Sequence, residues 1–537
     1  MSLPGTDVRR PRKTTSSAVQ TETGDFRIDP PYSSRERRKR SYQISAWIAL
    51  LGTGLALRLI AIDSRGLWSD EAWRVWAARL PSVLDVLHVA WAQPPSAPLY
   101  WLGLHFWIEL FGHGDVAVRL FSVIPSVANI PAIFGLGRLL AGSRAGWIAA
   151  ILLTVAPMAV EIGQEATMYA WTMLVATLAL AAGWLWLQAG KGGARYLACG
   201  ALLVYLHYLG PLLLAWFFLA GLLACRESGR RGFASHLSPG TWIRGHALLA
   251  LIWLPWAFAM SGRIADRWPE LRQLRHLVGW NDLYRAAAHL VLSASPQSFW
   301  PPMLVVALVA GGGLFLAWTC QRARPRSAVL LCALIAFGTV STLLGTSALT
   351  KAWLFQPRFL TLVLPLLLSM SALGLAAPSA GRNQRAVLVG LACFWLGVQI
   401  AGLSTFYARP VHGRDGMREI GAWLTAAVAP GDVVVGNHPL LLWSVAQYYS
   451  GRLQGLPTDW DVRRGYPLLP PSQPAWVQAQ QAAVASVVGA APRLWVLYLP
   501  TVDPDRALLA SIQKCYRPAA TRTYPLLTVY LFTKRVP

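Results

Sequence analysis

The chain has 537 residues, of which 55% are hydrophobic and only 13% are charged. A soluble domain of this length is far less apolar, so the composition indicates a polytopic membrane protein. The formal net charge of +24 would suit a nucleic-acid binder. Most of the cations, however, lie between apolar runs, which is typical of cytoplasmic loops, and we expect no nucleic-acid partner.

The first 43 residues are polar and end in the basic run "RERRKRSYQ". They contain no apolar segment of the kind found in a secretory signal. We predict that residues 1–43 form a disordered cytoplasmic tail. The six cysteines have no metal-site spacing, and five of them lie in or beside apolar runs.

Apolar runs long enough to cross a membrane follow this tail. A hydrocarbon core of about 30 Å needs roughly 20 residues of helix. Eleven runs satisfy this requirement, starting near Ile44, Val116, Ala145, Thr167, Tyr196, Pro211, His246, Pro301, Ala328, Phe359 and Ala386. The sequence therefore predicts about eleven transmembrane helices, and the odd number puts the two termini on opposite sides.

The loops between these runs indicate the orientation. With the amino terminus inside, the cytoplasmic loops are "GRLLAGSRAG", "AGKGGARY", "CRESGRRGFASHLSPGTWIRG", "CQRARPRS" and "SAGRNQRA". Each contains at least two Lys or Arg and at most one acid, as the positive-inside rule requires. We therefore predict a multi-pass protein of a bacterial-type inner membrane, with a cytoplasmic amino terminus and membrane lipids around it.

One further apolar run, residues 97–112, is short and contains His105 and Glu109. If this run crossed the membrane, every later loop would lie on the opposite side from the one that the positive-inside rule favours. We therefore predict an interfacial helix on the outer surface. Nearby tryptophans are expected to form an aromatic belt at this interface, namely Trp68, Trp73, Trp76, Trp91, Trp101 and Trp107.

The last part of the chain has a different pattern. "GDVVVGNHPLLLWSVAQYYSG" and "RLWVLYLPTVDPDRALLASI" each predict a strand followed by a helix, and "YPLLTVYLFTK" predicts a closing strand. We therefore divide the chain into the tail, a transmembrane domain at 44–406 and a small extracytoplasmic α/β domain at 407–537. The last domain could be a scaffold or could bind substrate.

Polar residues collect at one depth of the predicted bundle. The span centres are nearly free of ionisable groups, which disfavours an ion-coupled transporter or a channel. The outer ends of the spans contain Asp70, Glu71, Glu161, Gln164, Glu165, His207, Tyr208, Lys351 and Arg358. The segment from Asp63 to Asp115 adds to this concentration, because it has six acids against three arginines in a strongly basic protein. These residues predict one extracytoplasmic site at the membrane face.

A series of motifs resembles the GT-C superfamily of membrane glycosyltransferases. In order, they are "LWSDEAW", "QPPSAPLYW", "DVAVRLFSVIPS", "GQEATMYAWTML", "YLHYLG" and "PRFLTLVLPLL". The chain looks like the branch that uses polyprenyl-phosphate sugars, which includes protein O-mannosyltransferases and the lipid A aminoarabinose transferase. The resemblance covers about residues 44–405. Gln93 stands where the family often has His, and Thr167 stands where it often has Arg, so acceptor handling could differ.

The resemblance implies transfer of a monosaccharide from a polyprenyl-phosphate donor to a lipid, polysaccharide or protein acceptor, with Asp70 as the catalytic carboxylate. A carboxylate at the bilayer surface can accept the proton of an attacking hydroxyl, and arginine or lysine can stabilise the departing phosphate. Glu71 and Glu165 are further catalytic candidates. The substrate-binding candidates are Arg119, Gln164, His207, Tyr208, Lys351 and Arg358.

Each assignment has a structural alternative. Asp70 could be the N-cap of the following helix, with Glu71 in the first turn. Glu165 could begin a helix, and the arginines could anchor the protein to lipid headgroups. No cofactor is certain, although Asp70 and Glu165 would suit a divalent cation. A lipid or glycan flippase and an inactive family member are the alternative functions.

Overall fold

The computed structural model describes residues 34–92, 98–226, 235–273, 279–292, 323–351, 355–376, 382–408, 416–456, 491–500, 503 and 505–535. The chain forms two compact units, Met1–Ala49 and Leu50–Pro537. In the first unit, the described part is the beginning of helix α1, and all other described elements belong to the second unit.

Most of the described chain is helical. The helices up to the middle of the chain are α1 (Ser34–Leu59), α2 (Ser69–Ala78), α3 (Val83–Ala92), α4 (Pro98–Phe111), α5 (Asp115–Ala141), α6 (Ser143–Val155), α7 (Pro157–Gly163), α8 (Tyr169–Ala189), α9 (Gly193–Leu206), α10 (Gly210–Arg226), α11 (Pro239–Gln273) and α12 (Trp280–Leu292). The later helices are α13 (Ala323–Thr350), a 3-10 helix (Pro357–Leu362), α14 (Leu364–Leu375), α15 (Arg382–Ala408), α16 (Met417–Ala427), α17 (Pro439–Ala446) and α18 (Ala507–Cys515).

The basic run before the first apolar segment is helical. Helix α1 begins at Ser34, whereas the predicted tail extends to residue 43. Arginine and lysine are good helix formers, so the basic run can extend the apolar helix toward the amino terminus. Residues 1–33 of the predicted tail lie outside the described residues.

Five described helices are long and apolar enough to cross a membrane, or six if the bent pair α6 and α7 is one span. The five are α5, α8, Pro239–Gly262 of α11, Ala328–Thr350 of α13, and α15. Helices α9, α10 and α14 are apolar but shorter, and the span predicted near Pro301 lies outside the described residues. The chain is thus a multi-pass membrane protein, and the number eleven stays a prediction.

Two junctions interrupt the helices between residues 115 and 189. Helices α6 and α7 meet at an angle of 60°, where Pro157 occupies the beginning of α7. The turn after α7, residues 164–168, leads directly into α8. Helices α5 and α6 are joined at Gly142, whose φ of 90° is a conformation that residues with a Cβ rarely adopt. Helix α5 packs against both α6 and α8.

The predicted interfacial segment is helix α4, which has 14 residues. It packs against α2, α3, α5 and α9. His105, one of the two ionisable residues that prompted the prediction, is buried and its Nδ1 lies 2.8 Å from the carbonyl oxygen of Ala78 at the end of α2. Helix α4 therefore supports the helix that carries Asp70.

The carboxyl-terminal part contains a five-stranded mixed sheet. Its strands are β1 (Val433–Gly436), β2 (Leu453–Gly455), β3 (Arg493–Tyr498), β4 (Tyr516–Thr523) and β5 (Thr528–Lys534). The order is β2-β1-β3-β5-β4, with β1 parallel to β2 and β3, and β5 antiparallel to β3 and β4. Helix α17 follows β1 and helix α18 follows β3, in the order predicted from the sequence.

The central strands β1 and β3 are buried on both faces, and their side chains alternate between those faces. Val435, Leu494 and Val496 face helix α18, whereas Val434, Trp495 and Leu497 face helices α16 and α17. Helices α16 and α17 both cover the same face of the sheet. Residues on the side of each helix that does not pack on the sheet are therefore directed away from it.

Candidate active site

Asp70 lies in the first turn of helix α2, and its carboxylate is paired with Arg358. The Nη1 of Arg358, from the 3-10 helix, donates to Oδ2 of Asp70 at 2.8 Å. The Asp70 side chain is 38% exposed and that of Arg358 is 23% exposed. These residues are 288 positions apart in sequence, so the fold brings together the predicted base and a predicted phosphate ligand.

A second arginine flanks the same carboxylate. Arg74, one turn further along α2, donates from Nη1 to the carbonyl oxygen of Asp70 at 2.6 Å. The same Nη1 lies 3.8 Å from Oδ2 of Asp70. Two guanidinium groups therefore border a partly exposed carboxylate, an arrangement that can receive an anion beside a proton acceptor.

Glu71 points the other way and is completely buried against Arg119. The Nε and Nη2 of Arg119 donate to the two carboxylate oxygens of Glu71 at 3.0 and 2.8 Å. The remaining N–H groups of Arg119 donate to the carbonyl oxygens of Ile62, Arg65 and Gly66 at 2.8 to 2.9 Å. All five donors of the guanidinium are thus engaged within the protein.

The carboxylate of Glu71 has two further donors. The backbone N–H of Ala166 donates to Oε1 at 2.8 Å, and the N–H of Trp68 donates to Oε2 at 3.2 Å. Burial by itself would raise the pKa of Glu71, but the charge and hydrogen bonds of Arg119 bring it below its ordinary value. Neither Glu71 nor Arg119 reaches a surface where a substrate could contact it, contrary to the expectation for both residues.

Glu165 lies in the turn after α7 and is 4% exposed. Burial, together with the negative charges of Glu161 and Glu71, raises the pKa of Glu165 to about 8. The carboxyl group is therefore largely protonated at neutral pH. The nearby cations include Arg358, so Glu165 lies in the same region as the Asp70 pair.

A histidine from another helix contacts this acidic region. His289 of α12 lies with its Nε2 3.2 Å from Oε2 of Glu161, and the side chains are 14% and 3% exposed.

Within the described part of the chain, no three His, Cys, Asp or Glu side chains are grouped closely enough to hold a metal ion.

Aromatic rings form one wall of the site. The rings of His207 and Tyr208 stack with centroids 4.6 Å apart, and both have edge contacts with Phe359, the residue after Arg358. Tyr169, the first residue of α8, lies 5.6 Å from His207. The guanidinium of Arg358 lies 5.0 Å from the ring of Trp68, within the range of a cation–π contact.

His207 is a neutral hydrogen-bond donor. Burial and the charge of Arg74 lower the pKa of His207 to about 3. Its Nδ1 accepts from the N–H of Leu209 at 3.1 Å, so the proton of the neutral ring is on Nε2. This Nε2 is buried and has no hydrogen-bond partner among the described residues.

The other two predicted ligands, Gln164 and Lys351, have no described contact with Asp70 or Arg358. The side-chain amide of Gln164 is buried and donates to the carbonyl oxygens of Leu57 and Ile60 at 3.2 and 2.8 Å. It therefore binds the carboxyl-terminal end of α1. Lys351 is exposed after the end of α13, with a φ of 54°. None of the contacts described for this part of the chain joins Lys351 to Arg358.

Several residues in the site were not predicted, namely Arg74, Tyr169, His289, Phe359, Arg418 and Tyr448. The spacing of Arg74, four residues after Asp70, was a usable signal because such residues share a helix face. The others come from distant segments. Arg418 and Tyr448, from the carboxyl-terminal part, contact the segment that leads to Asp70.

Comparisons with known proteins concern the family and the fold. Residues 93–257 match the family described as dolichyl-phosphate-mannose-protein mannosyltransferase. The chain is 26% identical over 288 residues to an undecaprenyl phosphate-alpha-4-amino-4-deoxy-L-arabinose arabinosyl transferase of Edwardsiella ictaluri. That match covers 51% of this chain and 49% of the relative, so it spans about half of the length of each protein.

Solved structures show the fold. The apo structure of ArnT from Cupriavidus metallidurans aligns with a TM-score of 0.60 at 15% identity, covering 91% of this chain and 98% of that chain. The same protein bound to undecaprenyl phosphate also has a TM-score of 0.60, at 14% identity and the same coverage. The Archaeoglobus fulgidus oligosaccharyltransferase aligns at 0.55 and 13% identity, covering 93% of this chain and 75% of that one. The predicted resemblance to the GT-C superfamily is confirmed.

Proposed function

We propose that this chain is a membrane glycosyltransferase that moves a monosaccharide from a polyprenyl-phosphate donor to a hydroxyl group on the extracytoplasmic side of a bacterial-type inner membrane. The observation that carries the proposal is the partly exposed Asp70–Arg358 pair, which stands beside the protonated carboxyl of Glu165 in a GT-C fold. A relative named for an undecaprenyl-phosphate-linked sugar and a neighbour bound to undecaprenyl phosphate support this donor class.

Asp70 is the general base in this proposal. As the acceptor oxygen attacks the anomeric carbon, its O–H bond breaks and the proton passes to the carboxylate of Asp70. The bond from the anomeric carbon to the phosphate oxygen breaks on the opposite side, and the polyprenyl phosphate leaves with the electron pair. A single displacement of this kind inverts the configuration at the anomeric carbon. The transferred group is a hexosyl or pentosyl unit.

Arg358 and Arg74 are the groups best suited to the leaving phosphate. Arg358 is 23% exposed and Arg74 is 12% exposed. Both are bound to Asp70, so they can stabilise a negative charge that develops close to the base. The Nε2–H of His207 is a further donor for a phosphate or sugar oxygen, with Tyr208 stacked beside it.

Glu165 serves the acceptor or the sugar as a hydrogen-bond donor, because its raised pKa keeps the carboxyl protonated near neutrality. Glu71, Arg119 and Gln164 act as positioning residues, since their polar atoms bind neighbouring parts of the protein. Lys351 is exposed near the start of the segment that leads to Arg358, and its predicted role in holding the donor phosphate stays a prediction.

The test is a transfer assay with the intact protein in lipid nanodiscs. A panel of radiolabelled polyprenyl-phosphate monosaccharides is incubated with glycolipid, polysaccharide and protein acceptors, and the released lipid phosphate is separated. We expect release together with a glycosidic product for at least one donor. A parallel assay in sealed proteoliposomes measures movement of the donor across the bilayer. Movement without a product would favour a flippase, and the absence of both would favour an inactive family member.

A further inference from the structure

The segment that leads to Asp70, residues 62–68, is held by two parts of the chain. From within the helical part, Arg119 binds the carbonyl oxygens of Ile62, Arg65 and Gly66. From the carboxyl-terminal part, Arg418 of helix α16 and Tyr448, which follows helix α17, contact the same segment, and Arg418 also reaches the carbonyl oxygen of Arg65 at 3.3 Å. The second set of contacts is not required by any step of the proposed reaction.

Arg418, the second residue of α16, makes the first of these contacts. Its Nη1 donates to the carbonyl oxygen of Asp63 at 3.0 Å, and its Nη2 lies 2.9 Å from the Asp63 carboxylate. The same Nη2 lies 2.6 Å from Oδ2 of Asp115, a buried acid in the first turn of α5. Arg418 therefore ties the segment to the helix that carries Arg119.

Tyr448 makes the second contact, two residues after the end of α17. Its hydroxyl accepts from the N–H of Leu67 at 2.5 Å and donates to Oδ2 of Asp115 at 2.7 Å. Leu67 is three residues before Asp70. A Cβ at Gly66 would lie 3.2 Å from both the Tyr448 hydroxyl and the Cβ of Arg418, so the backbone approaches both residues closely.

A tryptophan from α17 makes the third contact, with helix α2 itself. The ring centroid of Trp443 lies 4.1 Å from that of Trp73 and 5.2 Å from that of Trp76. The ring of Trp443 is tilted against that of Trp73 and stacked on that of Trp76, whereas the membrane belt predicted for Trp73 and Trp76 stays a prediction. Each such pair contributes about 0.5–1.5 kcal/mol beyond its burial.

We propose that the carboxyl-terminal part positions Asp70 for catalysis, with Arg418 and Tyr448 as its positioning residues. The inference rests on the proposed function. Neither residue contacts the Asp70 carboxylate, and both act through the backbone of residues 63–67. Because a displacement of about 1 Å in a catalytic group can cost roughly 100-fold in rate, loss of one of these contacts is expected to reduce kcat rather than donor binding.

Two substitutions in the full chain test this inference. Tyr448→Phe removes the hydroxyl but keeps the ring, and Arg418→Lys keeps the charge but loses the fork that joins Asp63 to Asp115. The matched controls are Tyr449→Phe, at the next residue, and Arg517→Lys, at an exposed position of β4. We expect about a tenfold fall in kcat for each test variant, with donor KM changed less than about twofold, and no change for the controls.

Hydrogen exchange in nanodiscs without substrate gives a readout that does not depend on activity. In Tyr448→Phe, the amide of Leu67 loses its acceptor, so its exchange should become about tenfold faster. Unchanged exchange, or faster exchange with an unchanged kcat, would overturn the inference. If the wild-type protein transferred no sugar, the proposed function would fail by itself, while exchange would still decide whether the carboxyl-terminal part holds the segment.

Discussion

Replacement of Asp70 by asparagine separates catalysis from stability. Asparagine has the size of aspartate and keeps an oxygen that can accept from Nη1 of Arg358, which lies 2.8 Å from the carboxylate. It cannot take the proton of the acceptor. A positioned general base contributes about 10²- to 10⁴-fold in rate, which is about 3–5 kcal/mol of activation free energy. The ion pair is 38% and 23% exposed, so its loss changes the free energy of unfolding by less than about 1 kcal/mol.

The assay compares kcat for the Asp70→Asn variant and for the wild-type protein, both in nanodiscs with a saturating polyprenyl-phosphate sugar. Glu109→Gln is the matched control, since Glu109 is an exposed acid of helix α4. We expect kcat to fall at least 100-fold for Asp70→Asn, with thermal unfolding nearly unchanged. A properly inserted Asp70→Asn protein that transfers sugar at the wild-type rate would refute the assignment.

Three other substitutions follow from the same geometry. Arg358→Lys keeps the charge but not the planar fork, so donor KM should rise and kcat should fall about tenfold, and wild-type kinetics would contradict a phosphate role. Glu71→Gln leaves the fully buried Arg119 without its counter-charge and should lower the free energy of unfolding by about 3–5 kcal/mol, measured by chemical denaturation. The pKa of Glu165 is raised to about 8, so the folded state binds more protons than the unfolded state above about pH 4.5, and stability should fall as pH rises to about 8. The expected loss between pH 6 and 8 is on the order of 2 kcal/mol, and Glu165→Gln should remove it; an equal pH dependence in both proteins would contradict this interpretation.

The sequence predicted the positions of the acidic residues in the candidate site better than it predicted the role of each residue. Asp70, Glu165 and Arg358 could be brought together because polar residues at the outer ends of spans must lie at one depth. Asp70 and Glu71 could not be distinguished in the same way. Adjacent residues on a helix point about 100° apart, so one faces solvent and the other faces the interior, but the sequence alone does not give the direction of the interior.

The contribution of the carboxyl-terminal part was predictable only at the level of its strands. Short continuous apolar runs indicate β1 and β3, as expected for strands that are buried on both faces. Tyr448 and Leu67, in contrast, are 381 residues apart. A contact of that kind depends on how two separately formed parts meet, and no local periodicity encodes it.

The two adjacent acids each have an arginine, and the difference between the pairs explains their roles. The Glu71–Arg119 pair is fully buried, its hydrogen bonds are all internal, and breaking it is costly. This pair can hold residues 62–68 in place, but it is not accessible to a substrate. The Asp70–Arg358 pair is partly exposed and joins helix α2 to the 3-10 helix. The phosphate of a bound donor would compete with Asp70 for the guanidinium of Arg358. We therefore expect donor binding to loosen the Asp70–Arg358 pair, so that the Asp70 carboxylate takes the proton of the acceptor hydroxyl more readily.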